Sequence, residues 1–114
     1  MKRNIKFKAK KLNSCEWVEG DLVHIGNRVC IGGDHLKDGI TDVDPSTVCM
    51  FTGLTDKNGA PIYEGDIVMH KDNNAERRGD INWDSKAAAF CFGQDFLVHY
   101  HSEDMVVVGN KFDK

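Results

Sequence analysis

Residues 51–68 read FTGLTDKNGAPIYEGDIV, the densest run of turn chemistry in the chain, set between apolar segments. Thr47 to Phe51 (TVCMF) leads in and Ile67-Val68-Met69 leads out. Asn58-Gly59 suits a tight turn, because both residues tolerate positive φ at little steric cost. Asp56 can accept from an amide two residues on and close an Asx-turn. Pro61 fixes its own φ and has no donor, so Ala60-Pro61 is expected to be extended and outside a central ladder. Glu64-Gly65-Asp66 precedes a β-branched pair, which suits a second tight turn feeding a strand. Gly65 is expected to hold a backbone conformation reserved for glycine, and Asp66 to make one local hydrogen bond. The stretch therefore reads as strand, ordered loop, turn, strand, and turn chemistry explains it better than a binding loop does.

Working outward, the same signals recur. Residues 4–9 alternate, with Ile5, Phe7 and Ala9 on one face and Lys6, Lys8 and Lys10 on the other, the period of a half-buried strand. Residues 22–31 predict a hairpin with a Gly26-Asn27 type II′ turn, pairing Leu22 with Ile31 and His24 with Val29. Glu19-Gly20-Asp21-Leu22-Val23 echoes Glu64-Gly65-Asp66-Ile67-Val68, which suggests the same turn-into-strand device used twice. Residues 32–46 are polar and Gly-rich and predict a solvated, mobile loop. Residues 71–79 (KDNNAERRG) predict a polar hairpin tip. Residues 87–92 predict a buried strand, with a short helix as the alternative. Residues 96–101 fit a strand or a helical turn, and Met105 to Val108 a strand stopped by Gly109-Asn110. The predicted core is Phe7, Trp17, Leu22, Ile31, Phe51, Leu54, Ile67, Ile81, Trp83, Phe90 and Val107.

The central stretch resembles the signature of the YopX family of phage and prophage proteins, on Thr52, Gly53, Leu54, Asn58, Gly59, Tyr63, Gly65 and Asp66. Ile5 to Ala9 resembles that family's opening strand. Ile81 to Asp84 with Ala89-Phe90 is similar to its later strand pair, and Val106 to Asn110 to its closing segment. The chain departs where Lys111 to Lys114 stops short of the family's usual tail. The resemblance implies a phage or prophage accessory protein and supplies no catalytic residues.

Composition narrows the class. At 114 residues with 40% apolar content, the chain fits one domain, residues 1–114, with a real core. A net charge of −3 argues against a global bias toward nucleic acid. No apolar run is long enough to cross a membrane, and the charged N-terminus lacks the apolar stretch of a secretory signal, so a cytoplasmic protein of a bacterial host is expected. Cys15, Cys30, Cys49 and Cys91 are widely spaced and are expected to be reduced and largely buried.

The candidates for chemistry are few. Two Glu/Asp pairs could serve as acid–base machinery, but turn geometry explains both. Asp34, His35, Asp38, Asp42 and Asp44 do not follow the Ca²⁺-loop pattern. His99 and His101, two apart, would share a strand face and could hold Zn²⁺ with Glu103, Asp104 or Cys91, yet no third ligand lies at a recognised spacing. No nucleophile elbow, phosphate loop or dinucleotide fingerprint occurs, so no enzyme and no cofactor are expected. The fold expected is mainly β, a small barrel-like or two-part antiparallel sheet structure of the YopX kind. The function expected is a non-catalytic module that self-assembles or binds a phage or host protein. The unguarded, apolar Met105 to Val108 edge favours a homo-oligomer. The alternative is a nucleic-acid-binding module using Lys6, Lys8, Lys10 and Lys11 with Arg77, Arg78 and an aromatic residue.

Overall fold

A computed structural model describes residues 6–36, 39–72 and 75–113. Among the described residues eleven strands follow in order: β1 Phe7–Lys10, β2 Trp17–Ile25, β3 Arg28–Gly32, β4 Ile40–Asp42, β5 Cys49–Thr55, β6 Pro61–Tyr63, β7 Asp66–Asp72, β8 Ala75–Asp84, β9 Ala89–Phe92, β10 Asp95–Phe96 and β11 Met105–Asn110. Short 3-10 turns lie at Pro45–Thr47, Leu97–His99 and Ser102–Asp104. The strands form two antiparallel sheets, ordered β4-β3-β2-β1-β5-β6 and β10-β9-β8-β7-β11. Neither closes, so the two-part arrangement is the one realised and the barrel is not. The chain divides into two compact units, Met1–Phe51 and Thr52–Lys114, with the division inside β5.

In the first unit the predicted alternation of β1 holds over the described residues. Phe7 and Ala9 face a core of Val18, Ile31 and Val43, flanked by Leu22, Val29, Leu36 and Val48. The β2–β3 hairpin has the predicted register, Leu22 opposite Ile31 and His24 opposite Val29, with Gly26 at φ +58°. That register follows from the two-residue loop alone. Two expectations are corrected. Gly20 is not a turn: β2 runs straight through it at φ +153°. A Cβ there would lie 2.3 Å from the Gly32 carbonyl oxygen, so glycine is needed for close strand approach. Residues 32–46 are not merely a loop. They contain β4, which pairs with β3, and a 3-10 turn capped by Asp44, whose Oδ1 accepts from the Ser46 amide at 3.0 Å. An isolated bridge, Lys11 to Val43, ties the end of this segment to the end of β1.

The second unit packs Ile62, Val68, Ile81, Phe92, Leu97 and Met105 together, with Leu54, Phe90, Tyr100 and Val107 against them. Of the predicted core, Ile31 and Ile81 are fully buried and most others are half-buried, but Trp83 is 44% exposed. It shares the Ile81 face yet sits at the end of β8, beyond the packed centre. On β7 the inward set is Asp66, Val68 and His70, not Ile67. Both parities of that strand carry apolar residues, so period alone does not select one. β11 continues through Gly109 and Asn110, with a register shift between Val107 and Gly109. The expected polar tip at 71–79 is mostly strand, with Asp72 opposite Ala75.

The central stretch ties this unit together. Asp56 closes the predicted Asx-turn, its Oδ1 accepting from the Asn58 and Ala60 amides at 2.9 Å each. Its Oδ2 also accepts from the Val107 amide at 3.0 Å, and the Lys57 amide donates to the Met105 carbonyl at 2.9 Å. These bonds occupy the side of β11 turned away from β7, so the edge read as unguarded is covered. Thr52 Oγ1 donates to the Ile62 carbonyl, and Gly53 and Gly59 take φ of +90° and +83°. Gly65 has φ +90°, as predicted. Asp66 does more than the one local bond expected: it is fully buried, accepts from the Tyr63 amide at 2.8 Å and accepts from Asn110 Nδ2 at 2.9 Å. Two carboxylates of one turn-rich stretch thus anchor the C-terminal strand 44 to 51 residues away.

Candidate functional site

Two clefts lie in the second unit. The polar one, about 310 Å³, is lined by His70 and Arg77 from β7 and β8 and by His99, Tyr100, His101 and Asp104 from the 3-10 segment. Strand pairing sets His70 opposite Arg77. The Leu97–His99 turn buries Leu97 and so brings Tyr100 over the sheet. Tyr100 meets His70 and Phe92 edge-on, with ring centroids 5.0 Å apart in each case. Arg77 lies over Phe92 and Tyr100 at 5.5 and 5.6 Å. Its Nη1 reaches Tyr100 Oη and Asp95 Oδ2, both at 2.7 Å, and Tyr100 Oη donates to the same Asp95 oxygen at 2.7 Å. The Tyr100 hydroxyl and then Arg77 hold Asp95 below the usual carboxylate range. Asp95, with burial, raises Tyr100, so the phenol stays protonated.

The apolar cleft, about 380 Å³, is lined by Leu54, Ala89, Phe90, Leu97 and Val98 with a polar rim that includes Ser102 and Glu103. Val98 is 83% exposed, and Trp83 packs edge-on against Phe90 at 5.0 Å.

In the first unit the outward face of β1 is basic. Lys10 pairs with Trp17 and Lys8 with Glu19 across to β2. Lys8 and Lys10 lie over the Trp17 ring at 4.8 and 5.4 Å, and Lys6 lies over Phe51 at 4.8 Å. Trp17 and Phe51, placed in the core by apolarity, therefore sit half-buried on the lysine face, where lysine stems cover them. Lys11 pairs with Glu16 at 3.6 Å. Arg77 and Arg78 are adjacent on β8 and so point to opposite faces; Arg77 joins the polar cleft and Arg78 approaches Met69 Sδ at 4.0 Å. They do not form one site.

The remaining candidates fall apart or change role. His99 and His101 are not on a strand. His99 ends the first of two 3-10 turns and His101 directly precedes the second, with Tyr100 between them; His101 Nδ1 lies 3.6 Å from Glu103 Oε1, although both histidines line the polar cleft. Among the described residues no three His, Cys, Asp or Glu side chains gather to hold a metal. Asp42 binds Arg28 Nε at 2.9 Å and accepts from Cys30 Sγ at 3.0 Å, while Asp38 lies outside the described residues. Asp42, then burial, raises the Cys30 thiol, which favours its protonated form. No disulfide joins the four cysteines; Cys15, expected to be buried, is exposed. Sequence reading missed His70 and Tyr100 as site residues. The visible signal was His70 directly after the apolar run Ile67-Val68-Met69, on the same parity as Val68.

No helix among the described residues is long and apolar enough to cross a membrane. No curated protein matches the chain. The chain belongs to the YopX family: the family described as YopX protein matches it over residues 5–114.

Proposed function

From that membership we propose that the chain is a non-catalytic accessory module of phage or prophage origin, working in the bacterial cytoplasm by binding protein, with its own copies as the first partner. The apolar cleft carries this reading. Val98 is 83% exposed beside Phe90 and the half-exposed Trp83, an arrangement suited to a contact centred on an aromatic anchor. The edge of β11 no longer supports it, since Asp56 and Lys57 cover that edge. The test is light scattering over about a tenfold dilution, across which mass action separates a reversible assembly. Wild type is expected to exceed the 12.8 kDa monomer at the high end, and Val98→Asp to remain a monomer with an unchanged melting point. A wild-type monomer throughout refutes self-association. Capture from host lysate on wild type, with Val98→Asp as the control, then tests for a different protein partner.

A second reading is favoured by one observation: Lys8 and Lys10 flank Trp17, and Lys6 covers Phe51, on one sheet face. Interleaved cations and aromatic rings can hold a single strand by charge and stacking. Retention on a single-stranded DNA column that falls with salt supports this reading, and flow-through at both salt levels removes it.

A further inference from the structure

His70 is 7% exposed, and its ring contacts are Phe92 and Tyr100. Among the described residues no side chain hydrogen-bonds its imidazole. Nor does any fully buried side-chain nitrogen or oxygen among them lack a partner. The His70 nitrogens must therefore open onto the polar cleft they line. A nearly buried imidazole that meets only rings on its flanks and a cavity in front has its hydrogen-bonding capacity reserved for what enters that cavity.

The other groups define what enters. His99 and His101 stand at the rim as exposed imidazoles. Arg77 lines the cleft with its Nη1 balanced by Asp95 and Tyr100, and so contributes charge and a fixed wall. Among the described residues Asp104 is the one carboxylate in the lining, and Glu103 Oε1 lies 3.6 Å from His101 Nδ1. With Arg77 paired to Asp95, three imidazoles face that one carboxylate, and among the described residues no three-ligand group gathers for a metal.

We propose that this cleft binds a small oxyanion of the phosphate class, with His70 as the buried donor and His99 and His101 as donors from the rim. The cavity lies at the small end of ligand pockets, with room for a phosphate and part of a group esterified to it. This site adjoins the apolar cleft, with which it shares Tyr100 and His101, and His70 and His99 belong to the polar side alone.

The test follows the imidazole ¹⁵N resonances of the full chain as inorganic phosphate, or phenyl phosphate, is added at about pH 6 and about pH 7.5 and constant ionic strength. His70, His99 and His101 are expected to shift together and saturably. Tighter binding of phenyl phosphate identifies a phosphate ester, and equal binding the free ion. His70→Phe keeps the ring packing and removes the nitrogens, and should weaken binding about tenfold or more. His101→Ala leaves the core untouched and should weaken binding, which keeps the test open should His70→Phe not fold. Absence of saturable shifts with either phosphate overturns the proposal. So does Zn²⁺ moving all three resonances where phosphate moves none.

Discussion

Replacing Asp56 with alanine removes one carboxylate and three hydrogen bonds. Its Oδ1 accepts from Asn58 and Ala60 and its Oδ2 from Val107, at 2.9 to 3.0 Å. The residue is 6% exposed, so water replaces these partners poorly. At about 1 kcal/mol net per bond, the loss is about 3 kcal/mol. For a domain of this length that is a drop in melting temperature on the order of 10 °C. Two measurements separate local from long-range effects. Asp56→Asn keeps one oxygen for the Asx-turn but sets an amide against the Val107 N–H, so it should lose about one to two of those three kilocalories. Amide hydrogen exchange should quicken at Val107 in both variants, as local opening of the β11 edge becomes easier. Both variants melting with wild type, or Val107 exchanging at the wild-type rate, would refute the assignment of Asp56 as the clasp on β11.

Three further outcomes are expected. Burial by itself would raise the Asp56 carboxyl, but the amide bonds from Val107, Ala60 and Asn58 outweigh it and hold the group low. A depressed folded value contributes stability above the unfolded value of about 3.9 and loses it as pH falls through the folded value. Acid melting below about pH 4 should therefore be shallower in Asp56→Ala than in wild type. Gly65→Val should cost on the order of 1–3 kcal/mol, because φ is +90° and its N–H and C=O are both bonded, to Ile81 and Lys111; equal thermal melts would show the turn is relaxed. Iodoacetamide should label Cys15 alone in the native protein and Cys30, Cys49 and Cys91 only after unfolding; mass spectrometry showing more than one adduct under native conditions would contradict the burial.

What was legible in the sequence was local. The Gly26-Asn27 hairpin, the Asx-turn at Asp56, the conformation of Gly65 and the alternation of Phe7 and Ala9 each depend on residues a few positions apart. Backbone sterics and a two-residue period suffice for all of them. What needed the tertiary structure was partner-dependent. Glu19-Gly20-Asp21 and Glu64-Gly65-Asp66 look alike, yet one is mid-strand and the other a turn, because Gly20 faces the backbone of Gly32. β7 could have turned either parity inward, and packing against Ile81 and Phe92 chose Val68 and His70 over Ile67. The polar cleft gathers His70, Arg77, His99, Tyr100, His101 and Asp104 from segments up to 34 positions apart (70 to 104). Loop closure over such distances is directed by the summed burial of the core, and no short window of sequence contains that sum.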